Sequence, residues 1–385
     1  MRNDLELAAK DYIILAQSLA GEFAQTAMER DAQGVTPKQE RDSLRQSNLL
    51  KLIIPQEYGG IGANWITTFK IIREFAKVDS SLAHVFSCHQ IGVVIPHIFG
   101  TIEQKQYYYS ETVNHNWFWC NDLNPRDKRA VITAQENHFL LNGSKSFCSG
   151  CVDSDILPLS AIDQTTGELI ILVIPSRRQG VKINTDWHNM GQRQTDSGSI
   201  DFDNVIVYPQ EIIGARYNQN SIFATIRCCI TQLNLANIYL GFAEGAFASA
   251  KNYTQNRKKP WLTSEVECVT KDPVILHHYG NMWVDLQGVK ALVNQAIELL
   301  QAAWEKEHNL TPTQRGECMI AVNTAKIAAT KVGLDITNRI FQVMGPSATS
   351  QKYSFDRYWR PTVDYRLREI GKWALNDEFP QTGTY

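Results

Sequence analysis

Twice along this 385-residue chain the spacing of apolar residues changes period, and that double change narrows the folds open to it. Up to about residue 112, Leu5, Ala8, Ala9, Tyr12, Ile13, Ala16 and Leu19 recur at three- and four-residue intervals, one stripe on a 3.6-residue helix. From about 113 to 214 the pattern shifts to period two and short apolar runs, the mark of strands. Phe139-Leu140-Leu141 precedes Asn142-Gly143, a strong two-residue hairpin signal, and Lys145 and Phe147 continue on the far side. Glu168 to Pro175 and Gly198 to Val207 read as two further strands. Beyond Asn220 the helical period returns, with Val332, Ile336, Ile340 and Met344 four apart and Trp283, Leu286, Val289 and Leu292 three apart. Long helices with few breakers predict an antiparallel bundle of about four. The chain therefore reads as an α+β protein of three units: a helical domain over 1–112, a β-barrel-like domain over 113–218 and a C-terminal four-helix bundle over 219–385.

Composition removes several functions. A net charge of -2 and a pI near 6.5 leave no basic excess to neutralise phosphates, so nucleic acid is not an expected partner. The N-terminus, MRNDLELAAKDY, lacks the apolar run of a signal peptide, and no 18 uninterrupted apolar residues occur, so a cytoplasmic protein without a membrane span is expected. Cys148 and Cys151 form the single CxxC among eight scattered cysteines; with no second ligand pair at suitable spacing, no metal is expected and the thiols read as reduced and structural. In IPQEYGGIGA (54–63) the Pro and Gly cluster marks a loop, because no third glycine follows at the offset a dinucleotide cradle needs.

The string MGQRQTDSGS (190–199), running into IDFDNVIV and Gly214, resembles the middle β-domain of the acyl-CoA dehydrogenase fold. Within that fold the likeness is to the reduced-flavin monooxygenases of sulfur acquisition, of the dibenzothiophene monooxygenase type, and it covers nearly the whole chain. The resemblance implies FMN, taken up as FMNH2 from a separate NAD(P)H:flavin reductase, with FAD the less expected cofactor. It further implies O2 and a small organosulfur, amine or aromatic substrate, oxygenated through a flavin C4a-hydroperoxide, and assembly as a homotetramer through the C-terminal helices.

The same resemblance implies roles for particular residues. GSKSFCSG (143–150) matches the stretch beside the flavin ring, which puts Phe147 against the ring and Ser149 near its reactive edge. Asn121 in WFWCND lines the same pocket and Trp187 in DWHNMG walls it. Arg257 in YTQNRKKPW matches the arginine that reaches the cofactor phosphate, a task suited to the fork of guanidinium donors. Ser347 and Thr349 in QVMGPSATS match a small-residue turn approaching the cofactor. His84 and Cys88 lie four apart on one helical face in SSLAHVFSCHQ, with His89 beside them. His84 borders the active site in the sulfur-oxidising relatives, and Cys88 and His89 are expected at the substrate pocket. His84, Ser149 and Asn121 are the expected catalytic group.

One departure stands out. After FDRYWR (355–360) relatives carry a histidine-bearing loop, whereas here only Pro361 to Asp364 precede YRLREIG (365–371). Either the proton-donating role has moved, or the usual reaction is lost, or residues are missing from the string. Two other activities therefore stay open: an FAD-dependent acyl-CoA dehydrogenase, and a non-catalytic flavin-binding homologue.

Overall fold

A computed structural model describes residues 2–214, 221–256, 260 and 266–361, with side chains from residue 10 onward. The N-terminal unit comprises α1 (Arg2–Gln33), α2 (Lys38–Gln46), α3 (Trp65–Ala76), α4 (Ser80–Val93), α5 (Ile95–Phe99) and α6 (Ile102–His115). α6 thus runs past the boundary drawn at residue 112. Three of these helices, α3, α4 and α6, start where a side chain satisfies free backbone N–H groups: Asn64 accepts from Thr67 N, Asp79 accepts from Leu82 N, and Thr101 and Gln104 form a reciprocal capping box. Such caps are worth about 1 kcal/mol each. The 54–63 segment is a loop, with one 3-10 turn at Gln56–Tyr58.

The middle unit is a seven-stranded sheet: β1 (Val131–Ala134), β2 (Phe139–Lys145), β3 (Ile156–Asp163), β4 (Leu169–Pro175), β5 (Val181–Ile183), β6 (Ile200–Val207) and β7 (Ile212–Ile213), in the order β5-β6-β2-β1-β3-β4-β7. Only β1 and β3 pair in parallel among these neighbours. The Asn142-Gly143 hairpin does not form. Those two residues lie inside β2, which carries on to Lys145 with a register shift between Leu141 and Gly143 against β6. They build a β-bulge instead of a turn, and Gly143 (φ 110°) is required there because a Cβ would stand 2.0 Å from the Arg129 carbonyl oxygen. The Asn142 side chain accepts from Asn204 N at 2.8 Å, pinning the bulge to β6. Phe147 has left the strand altogether.

The C-terminal unit contains α7 (Ile226–Asn256), α8 (Pro273–Lys306), α9 (Pro312–Met344) and the short α10 (Asp356–Trp359). Three long antiparallel helices are therefore described, and residues 362–385 lie outside the described ones. α7 packs along both α9 and α3, so one apolar core runs from Phe69 and Phe75 through Leu233 and Ile340. A second core fills the sheet, with Leu141, Leu157, Leu172 and Val205 at its centre. On α8 the three-residue spacing drifts off the helical period. Leu286 and Val289 are buried, while Trp283 is 54% exposed beside Val284 and Leu276. The stretch Ser80–Phe99 is apolar and long enough to cross a membrane by composition, but 89% of it is packed inside this fold.

Candidate active site

Three segments meet beside α4. Asp79 caps this helix, so its first full turn projects His84 and the next Cys88, and their Nε2 and Sγ lie 3.6 Å apart. From the other side comes the turn that follows β2. There Phe147 takes a left-handed backbone (φ 61°), and Asn121 and Ser149 form an antiparallel bridge, Asn121 N donating to Ser149 O at 3.0 Å. The third segment is the 190–199 loop, stitched to the turn by Gly150 N to Thr195 O (2.8 Å) and Cys148 N to Gly198 O (3.1 Å).

The side chains form one hydrogen-bonded row. His84 Nε2 lies 3.2 Å from Ser149 Oγ, which lies 2.8 Å from Ser197 Oγ, which lies 2.7 Å from Thr195 Oγ1. Thr195 in turn donates to the Gln192 carbonyl at 2.9 Å, and that carbonyl also accepts the Trp187 indole N–H at 2.7 Å. Trp187 stands edge-on to Phe147, ring centres 5.6 Å apart, and Phe147 keeps 65% of its surface open. From α7, Arg227 Nη2 donates to Asn121 Oδ1 (3.1 Å) and to Leu123 O (3.2 Å), while its Nε is buried without a partner.

Burial sets the protonation states. It pushes His84 down to about 4 and Cys88 up to about 12, so imidazole and thiol are both neutral near pH 7. A nucleophilic cysteine needs its thiolate, and this one is held protonated. Behind the bridge, burial raises Asp122 to about 7 against the pull of Lys145; its Oδ1 accepts from Cys148 Sγ at 3.0 Å.

Buried cations lock the segments together. Arg41, stacked 4.2 Å over Phe118, donates to Gly150 O and Asp153 O and pairs with Asp153 and Asp196. Arg30 on α1 pairs with Glu40 of α2 and with the α4 cap Asp79, and donates to Gln194 Oε1 in the 190–199 loop. At the chain's far end Arg360 pairs with Asp31 and donates to Met190 O (2.8 Å), and a Cβ on Gly191 would meet Arg360 O at 2.3 Å. Arg360 therefore lies directly against the loop that holds Trp187.

Of the residues expected from sequence, the structure brings His84, Cys88, Asn121, Phe147, Ser149 and Trp187 into this one neighbourhood. His89 is a correction. It is fully buried, Nε2 bonded to Leu50 O (2.7 Å) and Nδ1 accepting from Trp119 N (3.1 Å), so both nitrogens are spent in the core and no face is left for a substrate. Ser347 and Thr349 lie exposed on the 3-10 turn Pro346–Thr349 after α9, and the Thr349 hydroxyl donates back to Pro346 O. Arg257 lies outside the described residues. Thr195, Ser197, Arg227, Arg41 and Arg30 were not singled out in sequence. The alternation of Thr195 and Ser197 within the 190–199 string was the one signal available for the first two.

A cleft of about 450 Å³ opens beside Trp187, lined also by Thr36, Val152, His188 and Arg193, but not by His84, Asn121 or Ser149. It adjoins the reactive row and is separate from it. The row itself offers an aromatic pair, Phe147 exposed and Trp187 half-buried, a polar edge of neutral donors and acceptors, and a buried guanidinium whose Nε has no partner among the described residues. Those are the needs of an apolar planar ring with one polar edge, so the ring end of a flavin fits the groups present.

Three family profiles match the chain: acyl-CoA dehydrogenase, N-terminal domain (residues 15–115), middle domain (122–205) and C-terminal domain (233–362). A probable FMNH2-dependent monooxygenase, SfnC of Pseudomonas putida, is 47% identical, the match covering 97% of each chain. Among solved structures, methanesulfinate monooxygenase MsuC of Pseudomonas fluorescens is 45% identical with a TM-score of 0.93, covering 96% of this chain and 98% of that one. FMN-bound TdsC, a dibenzothiophene monooxygenase of Paenibacillus sp. A11-2, is 37% identical with a TM-score of 0.91 over 96% and 98%.

Proposed function

This chain belongs to the acyl-CoA dehydrogenase family, in the group of its FMNH2-dependent monooxygenases, and from that premise we propose that it oxygenates a small organosulfur compound. Reduced FMN, supplied by a separate NAD(P)H:flavin reductase, provides the electrons that activate O2. The observation that carries this reading is the row from His84 through Ser149 to Thr195, set beside the exposed Phe147 and the half-buried Trp187. Phe147 and Trp187 hold the ring by its apolar faces, while Asn121 and Ser149 meet its polar edge. His84, neutral and next to Cys88, borders the substrate side. Arg257, Ser347 and Thr349 take the phosphate end.

The cluster's own chemistry opposes dehydrogenation. Its polar groups are imidazole, thiol, hydroxyl and amide, and among the described residues no carboxylate joins the row to take an α-proton; Asp122 faces Cys148 behind it. The name of methanesulfinate monooxygenase MsuC points to a small sulfur substrate, and the higher identity to it than to TdsC favours an alkyl sulfinate over a fused aromatic thiophene. The exposed apolar side of α8, with Trp283, Val284 and Leu276, fits burial in a homotetramer, and the cytoplasm, where reductase and nicotinamide are at hand, is the expected compartment. The test supplies FMNH2 from a reductase, 18O2 and either methanesulfinate or dibenzothiophene. One labelled oxygen in the product is expected; peroxide alone with a broad organosulfur panel would overturn the reading.

A further inference from the structure

The hydroxyl row has a direction, and one end of it fixes that direction. A carbonyl oxygen can only accept, so Thr195 must donate its single hydroxyl proton to Gln192 O, 2.9 Å away. Thr195 Oγ1 is then left to accept, and the 2.7 Å contact requires Ser197 to donate to it. With its proton spent, Ser197 must accept across the 2.8 Å contact from Ser149. Ser149 in its turn has only lone pairs to offer His84 Nε2 at 3.2 Å, so the ring nitrogen must carry the proton. Turning the Ser197 proton to the Thr195 carbonyl, 3.4 Å away, changes nothing upstream, since Ser149 still has to donate.

The opposite order fails at its far end. It would leave Thr195 Oγ1 and Gln192 O 2.9 Å apart with no proton between them. Thr195 is fully buried and Ser197 nearly so, so water cannot repair the loss. Among the described residues, Cys88 Sγ, 3.6 Å from the same nitrogen, is the group that would favour an unprotonated Nε2, and a thiol is a weak donor. We propose that Thr195 and Ser197 are positioning residues that, through Ser149, hold His84 as its Nε2–H tautomer, leaving Nδ1 as the basic nitrogen and Ser149 Oγ as an acceptor toward the pocket.

The proposal refines the monooxygenase reading, and it is tested without turnover. Full-length protein is labelled with 15N histidine in the imidazole ring, and two-bond proton–nitrogen correlation spectra are recorded at pH 7, with the His84 signals assigned by their loss in His84→Gln. Wild type is expected to show a pyrrole-type Nε2 and a pyridine-type Nδ1. Thr195→Val keeps the shape of the side chain but removes the anchor, leaving the Ser197 proton only the long 3.4 Å contact with the residue-195 carbonyl, so the preference between the two orders shrinks and the two signals move toward one another. Thr195→Ser restores the wild-type pattern. Unchanged His84 signals in Thr195→Val, in a protein melting within a few degrees of wild type, overturn the proposal, as does an Nδ1–H tautomer in wild type. A wild-type Nε2–H tautomer in a protein that makes no oxygenated product would instead count against the monooxygenase reading alone.

Discussion

Asp122 offers a test of how burial acts next to the site. Its carboxyl is 2% exposed, Oδ1 takes the Cys148 thiol proton, and Oδ2 has no partner at all. Burial is the largest influence and raises it from the ordinary 3.8 to about 7, with Lys145 pulling the other way. A raised folded-state value means that the folded protein binds the proton more tightly than the unfolded chain. Its contribution is therefore present at low pH and is lost as pH rises toward 7. Between pH 5 and pH 8 the loss is about 2–3 kcal/mol, accumulating with each pH unit up to the folded value. Asp122→Asn keeps an oxygen for Cys148 and puts a neutral group where the orphaned oxygen lies. Guanidinium unfolding of both proteins at pH 5 and pH 8 isolates this residue, because every other titration is common to the pair. The variant should gain about 2–3 kcal/mol on wild type over that interval. A stability difference that is the same at both pH values would refute the reasoning.

Other outcomes follow from the same geometry. Gly143→Ala should lose about 2–5 kcal/mol in denaturant unfolding, since its Cβ would collide with Arg129 O at a positive φ. Arg41→Met should cost about 3–5 kcal/mol, read as a lowered melting temperature, by taking from the buried Asp196 its cation and from Gly150 O its guanidinium donor, while Asp153 keeps Arg45. Because burial holds His84 neutral above about 4, the pH profile of kcat/KM should show no limb near 6.5 from this residue; a limb there that vanishes in His84→Gln would contradict it. Ser149, donating to Ser197, presents a lone pair that suits the N–H of reduced flavin, so Ser197→Ala should narrow the preference for FMNH2 over FMN by about tenfold in equilibrium binding.

Much of the architecture is legible in the chain because period and motif are local. The α-β-α order follows from spacing alone, and the family strings locate Asn121, Phe147, Ser149 and Trp187. What fails is whatever depends on distant partners. Asn142-Gly143 carries the local chemistry of a hairpin, but Arg129 and Asn204 turn it into a bulge. His89 follows Cys88 in the chain, yet on a helix the next residue points about 100° away, into Leu50 and Trp119. Arg227 lies 106 positions from the amide it holds, and no spacing rule could announce it. Trp283 obeys a three-residue repeat that slips off a 3.6-residue helix and ends outside.

Arg30 has an implication for how this sequence can vary. One guanidinium serves a carboxylate from α2, the cap of the helix bearing His84, and the amide of Gln194. None of these positions can change alone without stranding a buried polar group among the others. Across relatives, positions 30, 40, 79 and 194 should then be inherited as a set, kept together or exchanged together, while surface positions of the same helices drift independently.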